Sequence, residues 1–280
     1  MSDRLKNAVR DLYGATARAA RAPDAAAKIA RAFGYDSSAL EALPEDANLG
    51  LSCGNPAAIA ALKPGETVVD LGSGGGLDVL IAAAAVGPSG RAIGIDMSPD
   101  MIALAEANAR KAAVTNAEFR LGDIESLPLD DSSIDCILSN CVLNLCTDKN
   151  AAFREIARVL KPGGRLAASD IALKRPLPSA LKNSLAAYVG CIAGALELGD
   201  YGRRLSAAGF VSISIEETGA DLNAYKAAEG QAACCSPAAG AACAPSPDAD
   251  ETAMDALLRT MAETDLNAYA VAVNVTALRR

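Results

Sequence analysis

A short β-branched strand, Thr67–Leu71, runs into the turn Gly72-Ser73-Gly74-Gly75-Gly76 and then into an apolar helix, Leu77–Val86. No other stretch limits the fold as strongly. Glycines let the backbone of such a turn approach a ligand closely, and the helix start behind it presents unpaired N–H groups. The pattern then continues. Strand Arg91–Asp96 is followed by a helix over 99–113 that Ser98 caps, then strands Ala117–Leu121 and Ile134–Asn140. Helix Lys149–Val159 ends at a turn, Lys161-Pro162-Gly163-Gly164, before a fifth strand over 165–171. Strands alternating with helices predict an α/β fold, a doubly wound, mostly parallel sheet.

The flanks are less regular. Residues 1–43 read as one or two helices divided at Pro23, and 44–56 carry turn signals around Cys53. A short helix is expected over 57–62. After the fifth strand, 176–198 and 200–208 look helical, 212–217 reads as a strand and 221–226 as its tail. From 227 to 247 the chain is mostly Ala, Gly, Pro and Ser with Cys234, Cys235 and Cys243, and 227–250 reads as a loop of a length that is usually functional or disordered. A helix over 251–263 and an alternating strand over 269–278 close the chain. At roughly 150 residues per domain, 280 residues make one large domain or two small ones. Three parts are expected: 1–56 as N-terminal helices and a loop, 57–172 as the sheet core, and 173–280 as a smaller C-terminal extension.

Composition removes several chemistries. There is no histidine, so histidine metal sites, Ser-His-Asp triads and a histidine general base are excluded. With 26 basic against 34 acidic residues, the net charge is −8. That excludes nucleic acid as an expected partner, since phosphate binding needs a cationic face. No uncharged apolar run reaches the roughly 18–20 residues of a membrane span. The charged start MSDRLKNAVRDLYG lacks the apolar region of a signal peptide, so a cytoplasmic protein with no membrane partner is expected. Eight cysteines in such a compartment point to thiol chemistry or metal binding more than to structural disulfides.

The glycine turn has its own selectivity. Glycines stand at 72, 74, 75 and 76, so the dinucleotide spacing G-x-G-x-x-G does not fit. Asp70 lies two residues before the first glycine. A pyrophosphate would be repelled there, whereas a sulfonium nucleoside with a free amino group would be attracted. Asp96 ends the second strand, with Met97 beside it, where a carboxylate can hold the two hydroxyls of a ribose. Gly122-Asp123-Ile124 ends the third, where a carboxylate can meet an adenine edge. D-L-G-S-G-G-G, G-I-D and G-D-I, in order, resemble the class I S-adenosylmethionine-dependent methyltransferases. The resemblance implies their Rossmann-like sheet and S-adenosylmethionine as cofactor, held by Asp70, Gly72, Gly74, Asp96, Met97, Asp123, Ile124 and Asn140. The plain alternative is a glycine turn needed only for strand–helix packing.

Cys53, in C-G-N-P, Cys141, in S-N-C-V-L-N-L, and Cys191, in G-C-I-A-G-A-L, are too far apart for spacing alone to define a site. Together with the glycine turn, these motifs closely resemble arsenite methyltransferases over most of 50–215. The resemblance implies that Cys53, Cys141 and Cys191 bind trivalent arsenic, as catalytic ligands. Arsenite and methylarsenite are then the substrates, and the role is arsenic detoxification. Soft thiolates suit a soft, thiophilic ion. Three of them leave the arsenic lone pair open to an in-line attack on a methyl group, and that needs no general base. A thiol reductant, glutathione or thioredoxin, is the implied co-substrate and partner, and a monomer is the default expectation.

Many members of that family carry a further cysteine upstream of C-G-N-P, thought to pair with it during turnover. Residues 1–52 contain none. Either that role is absent here or another cysteine serves it. Cys136 is expected in the core, Cys146 as a neighbour or spare thiol, and the Cys234-Cys235 pair as a delivery or reducing pair, or as nothing. Two other functions compete: a methyltransferase for a small carbon or oxygen acceptor, which needs no cysteine trio, and a thiol protein that sequesters arsenic without reacting, which needs no nucleoside site.

Overall fold

The computed structural model describes residues 2–19, 23–182, 188, 191–227 and 265–280. Eight strands form one sheet: β1 (Thr67–Leu71), β2 (Arg91–Asp96), β3 (Ala117–Leu121), β4 (Ile134–Asn140), β5 (Leu160–Leu173), β6 (Leu196–Glu197), β7 (Phe210–Glu217) and β8 (Ala270–Arg279). The order is β3-β2-β1-β4-β5-β8-β7, with β6 beside β5. Pairing is parallel from β3 through β5, and β8 runs antiparallel to both β5 and β7. The expected mostly parallel sheet is therefore present, with an antiparallel edge. Helices α1 (Ser2–Arg18), α2 (Pro23–Ala32), α3 (Ser37–Glu41) and α4 (Pro56–Ile59) precede it, while α5 (Leu77–Val86), α6 (Pro99–Lys111) and α7 (Lys149–Val159) connect its strands.

The strand alternation builds two cores. Val69 and Leu71 of β1 join Ile93, Ile95 and Ile137 on the face covered by Phe153 and Ile156 of α7. Val68 faces the other way, with Val79, Ala83 and Val86 of α5 and with Cys136. Cys136 is a buried core residue, as expected, and burial pushes its thiol up to about 12. Each large apolar side chain so buried contributes on the order of 1.5–3 kcal/mol against exposure.

Several boundaries differ from the sequence expectations. The 1–43 stretch forms three helices, since Pro23 starts α2 and Asp36 caps α3 by accepting from Ser38 and Ala39 N–H groups. Lys161-Pro162-Gly163-Gly164 is not a free turn. It is the irregular start of β5, whose register shifts against β4 at Ile134/Cys136. The stretch 176–198 is not one helix. After α8 (Ser179–Lys182), Cys191 sits at φ 65°, a left-handed conformation that ends any helix, and Leu196–Glu197 pairs with β5. Helix α9 (Leu198–Ala207) follows, and the expected tail after β7 is a 3₁₀ turn, Leu222–Ala227. The expected helix over 251–263 and the cysteines of the 227–250 loop lie outside the described residues.

Chain connections run outward from β1 toward β3 on one side and from β4 toward β5 on the other. Between β1 and β4 they diverge, and this is the crevice where open α/β sheets receive ligands, at the carboxyl ends of the strands. Asp70 and Gly72 stand at one wall of it, Asn140 and Cys141 at the other.

Candidate active site

The glycine turn is built around backbone that only glycine accepts. Gly72 has φ +66°, and a Cβ there would lie 2.5 Å from Val142 Cγ2. Gly76 caps α5 at φ +91°. The turn is tied to β2, since Gly72 and Ser73 N–H groups donate to Ile95 O at 2.8 and 3.1 Å, and Gly74 N–H to Asp96 Oδ2 at 3.0 Å.

This turn floors a cleft with an empty volume of about 1180 Å³, partly open to solvent. Every residue expected to hold the cofactor lines it: Asp70, Gly72, Gly74, Asp96, Met97, Asp123, Ile124 and Asn140. Cys141 and Cys146 line it too. The roof was not legible in the sequence: Lys6, Val9, Arg10 and Tyr13 of α1 close over the cleft. Lys6 Nζ pairs with Asp123 Oδ2 at 2.6 Å and Glu125 Oε2 at 2.7 Å.

The cleft is acidic. Burial raises Asp70 well above the usual carboxylate range, and the charges of Asp78 and Asp96 raise it further. Asp96 is raised by burial against the pull of N–H groups from Ser98, Gly74 and Met97. Asp78, in the first turn of α5, is lifted to about 6 by burial, although Tyr35 and Asn140 donate to it. Asp78 and Tyr35 were missed as site residues. A carboxylate inside the apolar run LDVLIAAAAV was a signal for the first. Nothing near Tyr35 marked the second.

Asn140 is the junction between cleft and cysteines. Its Oδ1 accepts from Cys53 N–H at 3.0 Å. Its Nδ2 lies 2.9 Å from Tyr35 Oη, 2.9 Å from Gly54 O and 3.2 Å from Asp78 Oδ2. Tyr35 Oη donates to both Asp78 oxygens, at 2.8 and 2.9 Å.

Cys53, Cys141 and Cys191 all belong to one buried cluster. Cys141 and Cys191 both hold left-handed backbone, at φ 58° and 65°. Such strain in non-glycine residues costs on the order of 1–3 kcal/mol and gathers at functional sites. Cys191 Sγ donates to Cys141 O at 2.9 Å. Cys53 and Cys141, expected as separate thiols, are joined in a disulfide with Cα atoms 5.9 Å apart, a separation well suited to bridging. The C-G-N-P cysteine is thus bonded to Cys141 in this structure. In this oxidised form only Cys191 of the trio keeps a thiol, and among the described residues no three His, Cys, Asp or Glu groups surround a metal-sized site. Cys146 is buried, and burial pushes its thiol up to about 12.

Comparison with known proteins adds to this geometry. Residues 62–219 match a methyltransferase domain family. An arsenite methyltransferase from Halobacterium salinarum is 46% identical over 183 residues, covering 65% of this chain and 47% of that protein. One from Aquipseudomonas alcaligenes is 40% identical over 164 residues, covering 56% and 47%. The chain thus spans about half the length of these relatives. The crystal structure of an arsenic(III) S-adenosylmethionine methyltransferase from Chlamydomonas reinhardtii superposes with a TM-score of 0.58 at 27% identity, covering 91% of this chain and 73% of the other.

Proposed function

This chain belongs to the methyltransferase domain family, with the class I Rossmann-like fold, and from that premise we propose that it methylates trivalent arsenic, with arsenite and then methylarsenite as substrates. One observation carries the reading. Cys141 lines the nucleoside-sized cleft, is bonded to Cys53, and accepts a hydrogen bond at its carbonyl from Cys191. Cys141 stands at the wall of the acidic cleft, with Cys53 and Cys191 behind it in one buried cluster; once reduced, such thiols suit a soft acceptor beside a cationic donor.

The residues present fit S-adenosylmethionine. Ser73 Oγ is buried, lines the cleft and has no hydrogen-bond partner among the described residues, and the Gly72 turn leaves backbone open to close approach. Asp70 would hold the amino group, Asp96 the ribose hydroxyls, and Asp123 with Ile124 the adenine edge, while Gly74, Met97 and Asn140 complete the walls. When bound, the cofactor would supply a methyl group on a sulfonium; its transfer to the arsenic lone pair leaves a thioether and a formally pentavalent arsenic, and two thiolates closing to a disulfide would return the arsenic to the trivalent state of methylarsenite.

The protein's part is placement. Cys53, Cys141 and Cys191 hold the arsenic, and the cleft holds the donor in line with it, so the chemistry relies on proximity more than on proton transfer. No base is needed, in keeping with the absence of histidine. Reduction comes first. A thiol such as glutathione or thioredoxin attacks the Cys53–Cys141 bond, and the two electrons it gives up leave two thiols able to bind arsenite. The biological role of such a reaction is arsenic detoxification.

The deciding experiment incubates reduced protein with S-adenosylmethionine, arsenite and glutathione, and separates the arsenic species by chromatography with mass detection. Methylated arsenic is expected from the wild type. Cys141→Ser should give none while still binding S-adenosylmethionine. Bound cofactor with no methylated arsenic from the wild type would overturn the reading and favour a carbon or oxygen acceptor. Bound arsenite without bound cofactor would favour sequestration.

A further inference from the structure

The side chain of Asn140 grips the Cys53 loop. Asn140 accepts from Cys53 N–H and has its own Nδ2 2.9 Å from Gly54 O, so one carboxamide grips the loop on both sides of its cysteine. The same residue immediately precedes Cys141 in the chain. Its carboxamide therefore fixes where one sulfur sits relative to the other.

A carboxamide does this only if it faces the right way. Rotated by half a turn, Asn140 would present Nδ2 to Cys53 N–H and Oδ1 to Gly54 O, donor against donor and acceptor against acceptor. What selects the orientation lies on the other side. Asp78 accepts from Tyr35 Oη at both of its oxygens, at 2.8 and 2.9 Å. Tyr35 Oη spends its one proton on Asp78, so its oxygen must accept, and it accepts from Asn140 Nδ2 and from Ser52. Both Tyr35 and Asp78 are buried, and Asp78 lines the cofactor cleft. The chain of donors therefore runs one way only: Asn140 to Tyr35, Tyr35 to Asp78. Tyr35 stands between α2 and α3, more than 100 residues from Asn140 in sequence, and acts on the cysteines through that carboxamide.

We propose that Tyr35, acting with Asp78 through Asn140, is a positioning residue that sets the distance between the Cys53 and Cys141 thiols. It thereby sets how readily the pair closes to a disulfide or opens to receive a thiophilic ligand. The two-electron step is ordinary thiol exchange: the dithiol loses two protons and two electrons, and glutathione disulfide accepts them to become two glutathione molecules. Only the arsenite arm of the test rests on the proposed function. The glutathione arm stands without it.

The test equilibrates full-length protein in glutathione redox buffers without arsenite or cofactor. Acid quenching, differential alkylation and peptide mass analysis then read Cys53 and Cys141 apart from the other cysteines. Tyr35→Phe removes the hydroxyl and keeps the ring. It should lower the equilibrium constant for closing the pair roughly two- to tenfold, the worth of one hydrogen bond. Asp78→Asn is the second variant. Its amide keeps an acceptor for Tyr35 but turns a donor toward Asn140 Nδ2, and it should shift the constant in the same direction. In turnover assays Tyr35→Phe should raise KM for arsenite more than KM for S-adenosylmethionine. A merely structural role predicts something else: a lower melting temperature with an unchanged glutathione equilibrium. That result in either folded variant would overturn the proposal. A shifted equilibrium with no arsenic methylation in the wild type would leave the proposal standing and remove the arsenic reading.

Discussion

Asp170 of β5 has no solvent exposure, and its partners are few: Ile171 N–H at 2.9 Å and Tyr201 Oη at 3.3 Å. Burial pushes its carboxyl up to about 7, against the opposing pull of those bonds and of the Lys149 charge. In the unfolded chain the group titrates near 4. Between roughly pH 4 and 7 the folded state therefore holds a proton that the unfolded state has lost. The sign follows: stability from this group is full at low pH and is lost as pH rises toward 7, by at most about 1.4 kcal/mol per pH unit. Asp70, Asp78 and Asp96 are raised in the same direction, so the wild-type slope reports several groups at once. Asp170→Asn should flatten it by about one proton, as read from urea midpoints between pH 4.5 and 7.5; identical slopes would disprove the assignment. Gly72 gives a second prediction at this scale. An alanine there meets Val142 at 2.5 Å and takes a left-handed φ that costs roughly 1–2 kcal/mol before any clash. Gly72→Ala should lower the melting temperature and weaken S-adenosylmethionine binding together in calorimetry.

Helix α1 is the element that closes the cleft, held by two buried apolar residues and by ion pairs at Lys6 and between Arg18 and Asp100. Val9 and Leu12 are its buried anchors, packed against Tyr13, Met97, Leu145 and Tyr188. Its ion pairs through Lys6 are partly exposed and worth about 1 kcal/mol or less. A charge at Val9 cannot stay buried there, so Val9→Asp should undock the helix without touching the sheet. The bound nucleoside would then leave faster, by more than about tenfold, with a smaller change in its rate of entry. A chase of bound labelled S-adenosylhomocysteine measures this, and an unchanged off-rate would show that α1 is no cover. The same helix marks where sequence stops being informative. Its amphipathic pattern predicted a helix over this part of the chain, but nothing in it said which surface it would cover. Elements β1 to β4, α5 and α7 were legible nearly to the residue, because β-branched runs and glycine punctuation are local signals. The stretch 176–198 was misread because its small apolar residues fit a helix, while the break comes from the left-handed backbone of Cys191 and the close approach of Gly194 to Asn144 O, which are tertiary facts.

At the scale of the whole molecule, the sheet order turns a cleft into a meeting place. Because β1 and β4 are neighbours, Asp70 and Cys141, 71 positions apart in sequence, face one crevice. The residues expected to hold the cofactor share one cleft because each lies at or just past the carboxyl end of a strand, and those ends gather at one rim. The pairing of Cys53 with Cys141 was not, since it depends on how the loop before α4 folds back over β4. That bond closes a loop 88 residues apart in sequence, spanning β1 through β4. In the chain-entropy view a loop of this length removes about 4–5 kcal/mol of unfolded-state freedom, though typical measured gains are about 2–4 kcal/mol. Reduction should therefore lower the melting temperature of this 280-residue chain by roughly 5–15 °C in scanning calorimetry. In Cys53→Ser/Cys141→Ser, adding reductant should change nothing. A wild type whose melting point ignores reductant would show that the bond constrains little. The consequence reaches function. The same two sulfurs that would hold arsenic are, in the oxidised molecule, the tie that steadies the sheet. Stability and reactivity thus draw on one bond and cannot both be maximal, so a reduced enzyme able to bind arsenite is the less stable one. Arsenite bound across the thiols should then restore part of the lost melting temperature, by mass action on the folded state.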